Sequence, residues 1–125
     1  ITYQGYGGYG NQIRDILDIN DLCSLIEEQI SKISKINNHT FNVGGGSTNA
    51  ISLKELTKYC ENITKNKIKF KKKIKTSNYD LRYYITDNKK IYSNYKWRVV
   101  KKLNTIINET FQSLIKNKKA LKKLL

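Results

Sequence analysis

Gly5-Tyr6-Gly7-Gly8-Tyr9-Gly10-Asn11-Gln12-Ile13-Arg14-Asp15-Ile16-Leu17-Asp18-Ile19-Asn20-Asp21-Leu22 is the stretch that sets the fold class. Its glycines call for a loop or hairpin over residues 1–12, because only glycine enters left-handed backbone without steric penalty. Ile13 to Ile19 alternates in part and predicts a short strand. Asn20 or Asp21 then caps a helix running to about residue 35, with Leu22, Leu25, Ile26, Ile30 and Ile33 on one stripe. Glu27 and Glu28 fall on its wet side. Loop, strand and helix in this order point to an α/β chain rather than a helical bundle.

The rest of the chain repeats the alternation. Asn37-Asn38 breaks the first helix. Thr40-Phe41-Asn42-Val43 reads as a strand ended by Gly44-Gly45-Gly46. Ser52-Leu53-Lys54-Glu55 matches the capping box, in which the Ser52 hydroxyl and the Glu55 carboxylate each satisfy the other residue's backbone N–H. Leu53, Leu56, Tyr59 or Cys60, and Ile63 are its inward positions. Residues 67–75 alternate lysine with Ile68, Phe70 and Ile74, as a strand does. Tyr83 to Thr86 is a further extended piece, and Asp87 caps a short helix over 88–93. A last helix, about 103–116, carries Leu103, Ile106, Ile107, Phe111, Leu114 and Ile115 on one side. A lysine-rich tail occupies 117–125.

Charge is distributed unevenly. The formal net charge is +14. Residues 1–53 hold three basic and five acidic residues, whereas 54–125 hold 21 basic and five acidic. Such asymmetry raises the possibility of an anionic partner. Only Arg14, Arg82 and Arg98 are arginine, however, and base or phosphate forks favour arginine over lysine. The lysines therefore read first as a solvated coat, and nucleic acid is not the expected partner. Cys23 and Cys60 form no C-x-x-C and are expected to be free thiols. No apolar run is long enough to span a membrane. The chain opens on Ile1 and contains no Met, so it is expected to begin inside a longer cytoplasmic protein.

Several short motifs carry little. Gly5 to Gly10 fits G-x-G-x-x-G, but a strand rather than a helix is expected to follow, which favours a turn over a dinucleotide loop. Tyr92 and Lys96 fit Y-x-x-x-K, a spacing common by chance among so many tyrosines and lysines. His39 has no ligand partner in the sequence. Arg14 is more informative, since an arginine at a strand mouth beside a glycine loop can grip a diphosphate bidentately.

Three segments in order resemble one known family. Gly5 to Leu22 resembles the G-Y-x-G-K-Q-V-R-D segment of extended short-chain dehydrogenases. Phe41 to Gly46 with Asn49 to Leu56 resembles the next landmark. Asp80 to Ile91 with Tyr95-Lys96-Trp97 resembles the third. The nearest branch is the CDP-paratose/CDP-tyvelose 2-epimerases. Ser77 stands where the family often carries arginine. The resemblance implies the C-terminal, substrate-binding portion of an extended Rossmann-type dehydrogenase over residues 1–116. It implies that Gln12, Arg14 and Arg82 bind a nucleotide-diphosphate sugar, that Gly44 to Gly46 with Asn49 form a tight turn beside them, and that no catalytic residue lies in this chain. NAD would be bound by an upstream portion, and the intact enzyme would be a homodimer acting as an epimerase or dehydratase. A basic nucleic-acid-binding module and a nonfunctional fragment are the alternatives.

Overall fold

The computed structural model describes residues 1–36 and 38–122. Asn37, read with Asn38 as a helix breaker, and the last three residues of the 117–125 tail lie outside the described residues. The chain mixes helix with short strands, compatible with α/β. Strands β1 (Thr2–Gln4), β2 (Ile13–Asp15), β3 (Ala50–Ser52) and β4 (Lys71–Lys73) alternate with helices α1 (Ile19–Ser31), α2 (Leu53–Thr64), α3 (Lys89–Asn94), α4 (Leu103–Lys116) and α5 (Lys118–Leu121). They form two separate ribbons. β1 pairs with β4 in parallel, with Tyr3 opposite Lys72. β2 pairs with β3 antiparallel, with Arg14 opposite Ile51.

The free edge of β2 is also used. The Ile13 N–H donates to the Arg82 carbonyl at 3.0 Å, and the Tyr84 N–H donates to the Ile13 carbonyl at 3.1 Å. Residues 82–84 thus run beside β2 through a bridge at Tyr83. The extended piece expected there is limited to that bridge.

Local chemistry explains most helix ends. The α2 capping box is present in full: the Glu55 N–H donates to the Ser52 hydroxyl at 3.2 Å, and the Ser52 N–H donates to the Glu55 carboxylate at 3.0 Å. Its far end closes on Lys65 in a left-handed conformation. α1 starts earlier than Asn20 or Asp21 would set it. Its cap is Asp18, which accepts the Asn20 N–H at 2.8 Å. The strand expected to reach Ile19 therefore stops at Asp15, and the helix ends at Ser31 in a run of turns. α3 begins at Lys89, whose N–H is taken by Asp87 at 2.9 Å.

The core is small and centred on Leu25, Ile91, Tyr95 and Trp97, with Leu17, Phe41, Val43, Tyr92 and Val99 packed around it. Phe41 meets the Tyr95 ring edge-on at 5.6 Å and 74°. Residues 40–43 form no ladder, contrary to the strand pattern, because Phe41 and Val43 are spent on this cluster. The 67–75 strand shrinks to Lys71–Lys73, and Ile74 is exposed. The apolar stripe of α1 contributes only Leu25 to the buried set; Ile26, Ile30 and Ile33 are exposed. In α2 no residue is fully buried. α4 buries Ile106 and Ile107 but exposes Leu114 and Ile115.

Buried polar groups fasten the C-terminal segment to α1 and to Asn49 ahead of β3. Asp21 Oδ2 accepts the Val100 and Lys101 N–H groups, each at 3.0 Å. Trp97 Nε1 donates to the Asp21 carbonyl at 2.7 Å. Asn49 donates to the Lys101 carbonyl at 2.8 Å and accepts the Leu103 N–H at 2.9 Å. Glu28, expected on the wet side of α1, accepts the Lys96 N–H at 2.9 Å. Among the described residues, Cys23 and Cys60 are free thiols. No helix among the described residues is long and apolar enough to cross a membrane.

Candidate functional site

The glycine turn and β2 bring two of the three expected binding residues together. Gly5, Gly7, Gly8 and Gly10 all have positive φ, which folds the loop back between β1 and β2. At Gly8 an added Cβ would lie 2.7 Å from the Lys72 Cβ, so the turn is also packed too closely on β4 for a side chain. A strand follows this turn, and the next helix begins at Ile19. The Gly5 to Gly10 motif thus lacks the helix N-terminus that holds a pyrophosphate in a dinucleotide fold. These residues do not fit NAD.

Asp80 is where the site converges. Arg14 Nη2 donates to Asp80 Oδ1 at 3.0 Å and to the Leu81 carbonyl at 2.6 Å, while Nη1 donates to its own neighbour, the Ile13 carbonyl, at 2.7 Å. Gln12 Nε2 donates to the Gln4 carbonyl and reaches Asp80 Oδ2 at 3.4 Å. The Tyr6 hydroxyl donates to the Asp80 carbonyl, and the Tyr6 N–H donates to Thr76 Oγ1 at 2.8 Å. Tyr6, Gln12, Arg14, Thr76 and Asp80 thus form one polar cluster under the turn.

Two members keep unspent bonding capacity. Gln12 is 4% exposed, and its Oε1 is the buried side-chain atom that has no hydrogen-bond partner among the described residues. Its amide orientation is secure, because both groups facing Nε2 are acceptors. Arg14 keeps a 38% exposed side chain, and its donor fork is only partly used. The ion pair with Asp80 holds the guanidinium at the surface of the turn.

Arg82 is placed differently. Its backbone carbonyl is a partner of β2, but its side chain is exposed and makes no ion pair among the described residues. Asp15, next to Arg14 in the chain, serves the segment Gly44 to Gly46 instead. Asp15 Oδ2 accepts the Gly46 N–H at 2.9 Å and the Thr86 N–H at 3.3 Å. Asn88 adds a reciprocal pair with Gly44, donating to its carbonyl at 2.8 Å and accepting its N–H at 3.2 Å. Gly45 passes so close to the chain just after β2 that an added Cβ would lie 2.0 Å from the Ile16 carbonyl oxygen. The tight strand-to-helix turn expected at Gly44 to Gly46 takes another form: these residues run without regular structure into a 3-10 turn at Ser47–Asn49 that leads to β3, held by Asp15 and Asn88, with Asn49 buried at its end.

The other motifs dissolve. Tyr92 lies on α3, which ends at Asn94, so Lys96 is not on the same helix. The Tyr92 ring instead carries the Arg98 guanidinium at 4.6 Å. His39 is exposed and leans on Phe41 at 5.9 Å.

Asp80, Tyr6 and Thr76 were not singled out as site residues by sequence reasoning. Their partners lie 66 to 74 positions away, and no local spacing reports such pairs. The chain matches no protein-family model and no curated protein.

Proposed function

We propose that this chain is the substrate-side portion of an NAD-dependent nucleotide-sugar epimerase or dehydratase of the extended short-chain dehydrogenase type, and that it holds the diphosphate of a nucleotide sugar. The observation that carries the reading is the cluster under the glycine turn. Arg14 offers a partly unspent guanidinium at a strand mouth, and buried Gln12 beside it, bonded to the Gln4 carbonyl, helps to fix the turn that presents it. An arginine fork matches two phosphate oxygens.

Support also comes from how the resembling segments meet. Gly5 to Leu22 contributes β2, the second segment contributes β3 on one edge of it, and the third contributes Arg82 to Tyr84 on the other. Three stretches far apart in sequence thus assemble around one short strand. Arg82, exposed beside this strand, is the second cation available to the ligand. NAD belongs to a portion upstream of Ile1, and hydride chemistry is assigned to no residue of this chain.

Calorimetric titration of the chain with CDP-glucose and UDP-glucose tests the reading. Saturable binding that falls about tenfold in Arg14→Ala, a loss typical of one charge-assisted contact, is the expected result. Binding unchanged by Arg14→Ala, or none at millimolar ligand, refutes it.

A further inference from the structure

A concavity beside the β1–β4 ribbon shares no lining residue with the Arg14–Asp80 cluster. It encloses about 370 Å³ between β1, the glycine turn, α2 and β4, within the ~300–1,000 Å³ usual for small-molecule sites. Its walls are aromatic. Tyr3 and Phe70 stack at 4.7 Å with a 34° tilt, and the Tyr3 hydroxyl donates to Thr57 Oγ1 at 2.6 Å, which fixes the ring. Phe70 and Tyr9 remain 47% and 55% exposed.

The rim is cationic. Lys72 Nζ lies 4.5 Å from the Tyr9 ring centroid. Lys54 and Lys58 come from one face of α2. The carboxylate on the wall, Glu61, is already engaged by the Ile68 N–H at 2.7 Å. Half-exposed rings beside several ammonium groups suit a ligand with a flat π face and a negative group attached. Lysine rather than arginine at the rim suits a phosphate met as a point charge.

We propose that this concavity binds a nucleoside phosphate, with the base on Phe70 and Tyr9 and the phosphate among Lys54, Lys58 and Lys72. A free nucleotide and one unit of a single-stranded nucleic acid present the same chemistry. This site stands apart from the Arg14 reading, and either can fail without the other.

The test is a titration of isotopically labelled chain, followed by amide chemical shifts, with UMP, inorganic phosphate and a short oligouridylate. UMP is expected to shift Tyr9, Lys58, Phe70 and Lys72 with saturation. Phe70→Ala is expected to weaken UMP about tenfold, the loss of one stacking platform. Tyr79→Ala, 94% exposed and outside the concavity, leaves affinity unchanged. Oligouridylate binding far tighter than UMP, with a steep salt dependence, identifies a single strand as the source; equal affinity identifies the free nucleotide. Shifts reproduced by inorganic phosphate alone, or wild-type affinity in Phe70→Ala, overturn the proposal. Should Phe70→Ala lose its fold by circular dichroism, Lys58→Gln replaces it on the exposed face of α2. About threefold weaker UMP binding is then expected, and unchanged affinity overturns the site.

Discussion

Asp21 Oδ2 accepts the backbone N–H of Lys101 at 3.0 Å across 80 positions of sequence. The same oxygen takes the Val100 N–H at 3.0 Å, and the residue is 6% exposed. This carboxylate sits in the first turn of α1, where the helix N-terminus also favours negative charge. Hydrogen bonds to an ionised acceptor contribute about 1.5–3 kcal/mol each. Asp21→Ala is therefore expected to destabilise the chain by about 3 kcal/mol, read as a lower urea midpoint at constant slope. Asp21→Asn keeps one acceptor oxygen and should lose about half as much. Equal losses in the two variants would assign the effect to charge rather than to the hydrogen bonds.

The glycines after Val43 separate two physical causes. Gly45 has no room, since a Cβ would lie 2.0 Å from the Ile16 carbonyl oxygen, a backbone atom that cannot swing aside. Gly46 has room, with the Asn88 amide nitrogen 3.6 Å away, but its φ is +69°. Gly45→Ala is expected to cost about 3 kcal/mol or more, and Gly46→Ala, whose extended backbone at positive φ is ordinarily open to glycine alone, about 1–3 kcal/mol. Thermal unfolding of both variants orders them. A milder effect at Gly45 than at Gly46 would mean that the chain at Ile16 yields to the added methyl group.

Some of this architecture is legible in the residues alone. Ser52 and Glu55 announce the start of α2, because a capping box is written within four consecutive residues. α4 is legible from apolar spacing, and its bounds match the expectation closely. The α1 cap is less so: Asp18, Asn20 and Asp21 are all capping residues, and tertiary demand decides among them. Asp21 is needed inside the helix to reach Val100 and Lys101, which leaves Asp18 as the cap. Period-two patterns mislead at residues 40–43 and 67–75, since alternation reports two faces but not whether a partner strand exists. The site is legible only in part. Arg14 and Gln12 stand out beside the glycines, whereas Asp80, which organises them, is tied to them only by the folded chain.

Charge pairs around Lys101 predict stability losses at both ends of the pH scale. At Asp18, burial opposes ionisation, but the Asn20 N–H and the Lys101 ammonium outweigh it and hold the carboxyl below its ordinary value of 3.8. Glu28 is likewise held below 4.5, first by the Lys32 hydrogen bond. Both folded pKa values are depressed, so this stability is present above the unfolded values and is lost as pH falls through the folded ones. Lys101 is raised above 10.5, chiefly by Glu109 and against desolvation. Its stability is complete below 10.5 and is lost as pH rises through the folded value. Melting temperature is thus expected to be flat in between. Lys101→Met should abolish the alkaline step and shift the acid loss to higher pH, because Asp18 loses its cation. An alkaline step that persists in Lys101→Met assigns it to another group.

Asp80 competes with any anion for the Arg14 guanidinium. Its Oδ1 lies 3.0 Å from Arg14 Nη2, and its side chain is 27% exposed, so a bound diphosphate would meet that negative charge at the mouth of the site. Asp80→Asn keeps the shape and removes the charge. Like-charge repulsion at contact distance in a solvated cleft is worth about 1 kcal/mol. Inorganic pyrophosphate, which has no ribose to contact the residue, is therefore expected to bind about fivefold tighter to Asp80→Asn at low ionic strength, the gain shrinking with added salt. The double variant Arg14→Ala/Asp80→Asn should keep that gain relative to Arg14→Ala, since the repulsion removed is between Asp80 and the anion itself; a gain lost with Arg14 would assign it to release of the guanidinium instead. Weaker pyrophosphate binding in Asp80→Asn would reverse the assignment. Asp80 would then be a residue that positions Arg14 for the ligand, and its carboxylate, rather than its absence, would complete the site.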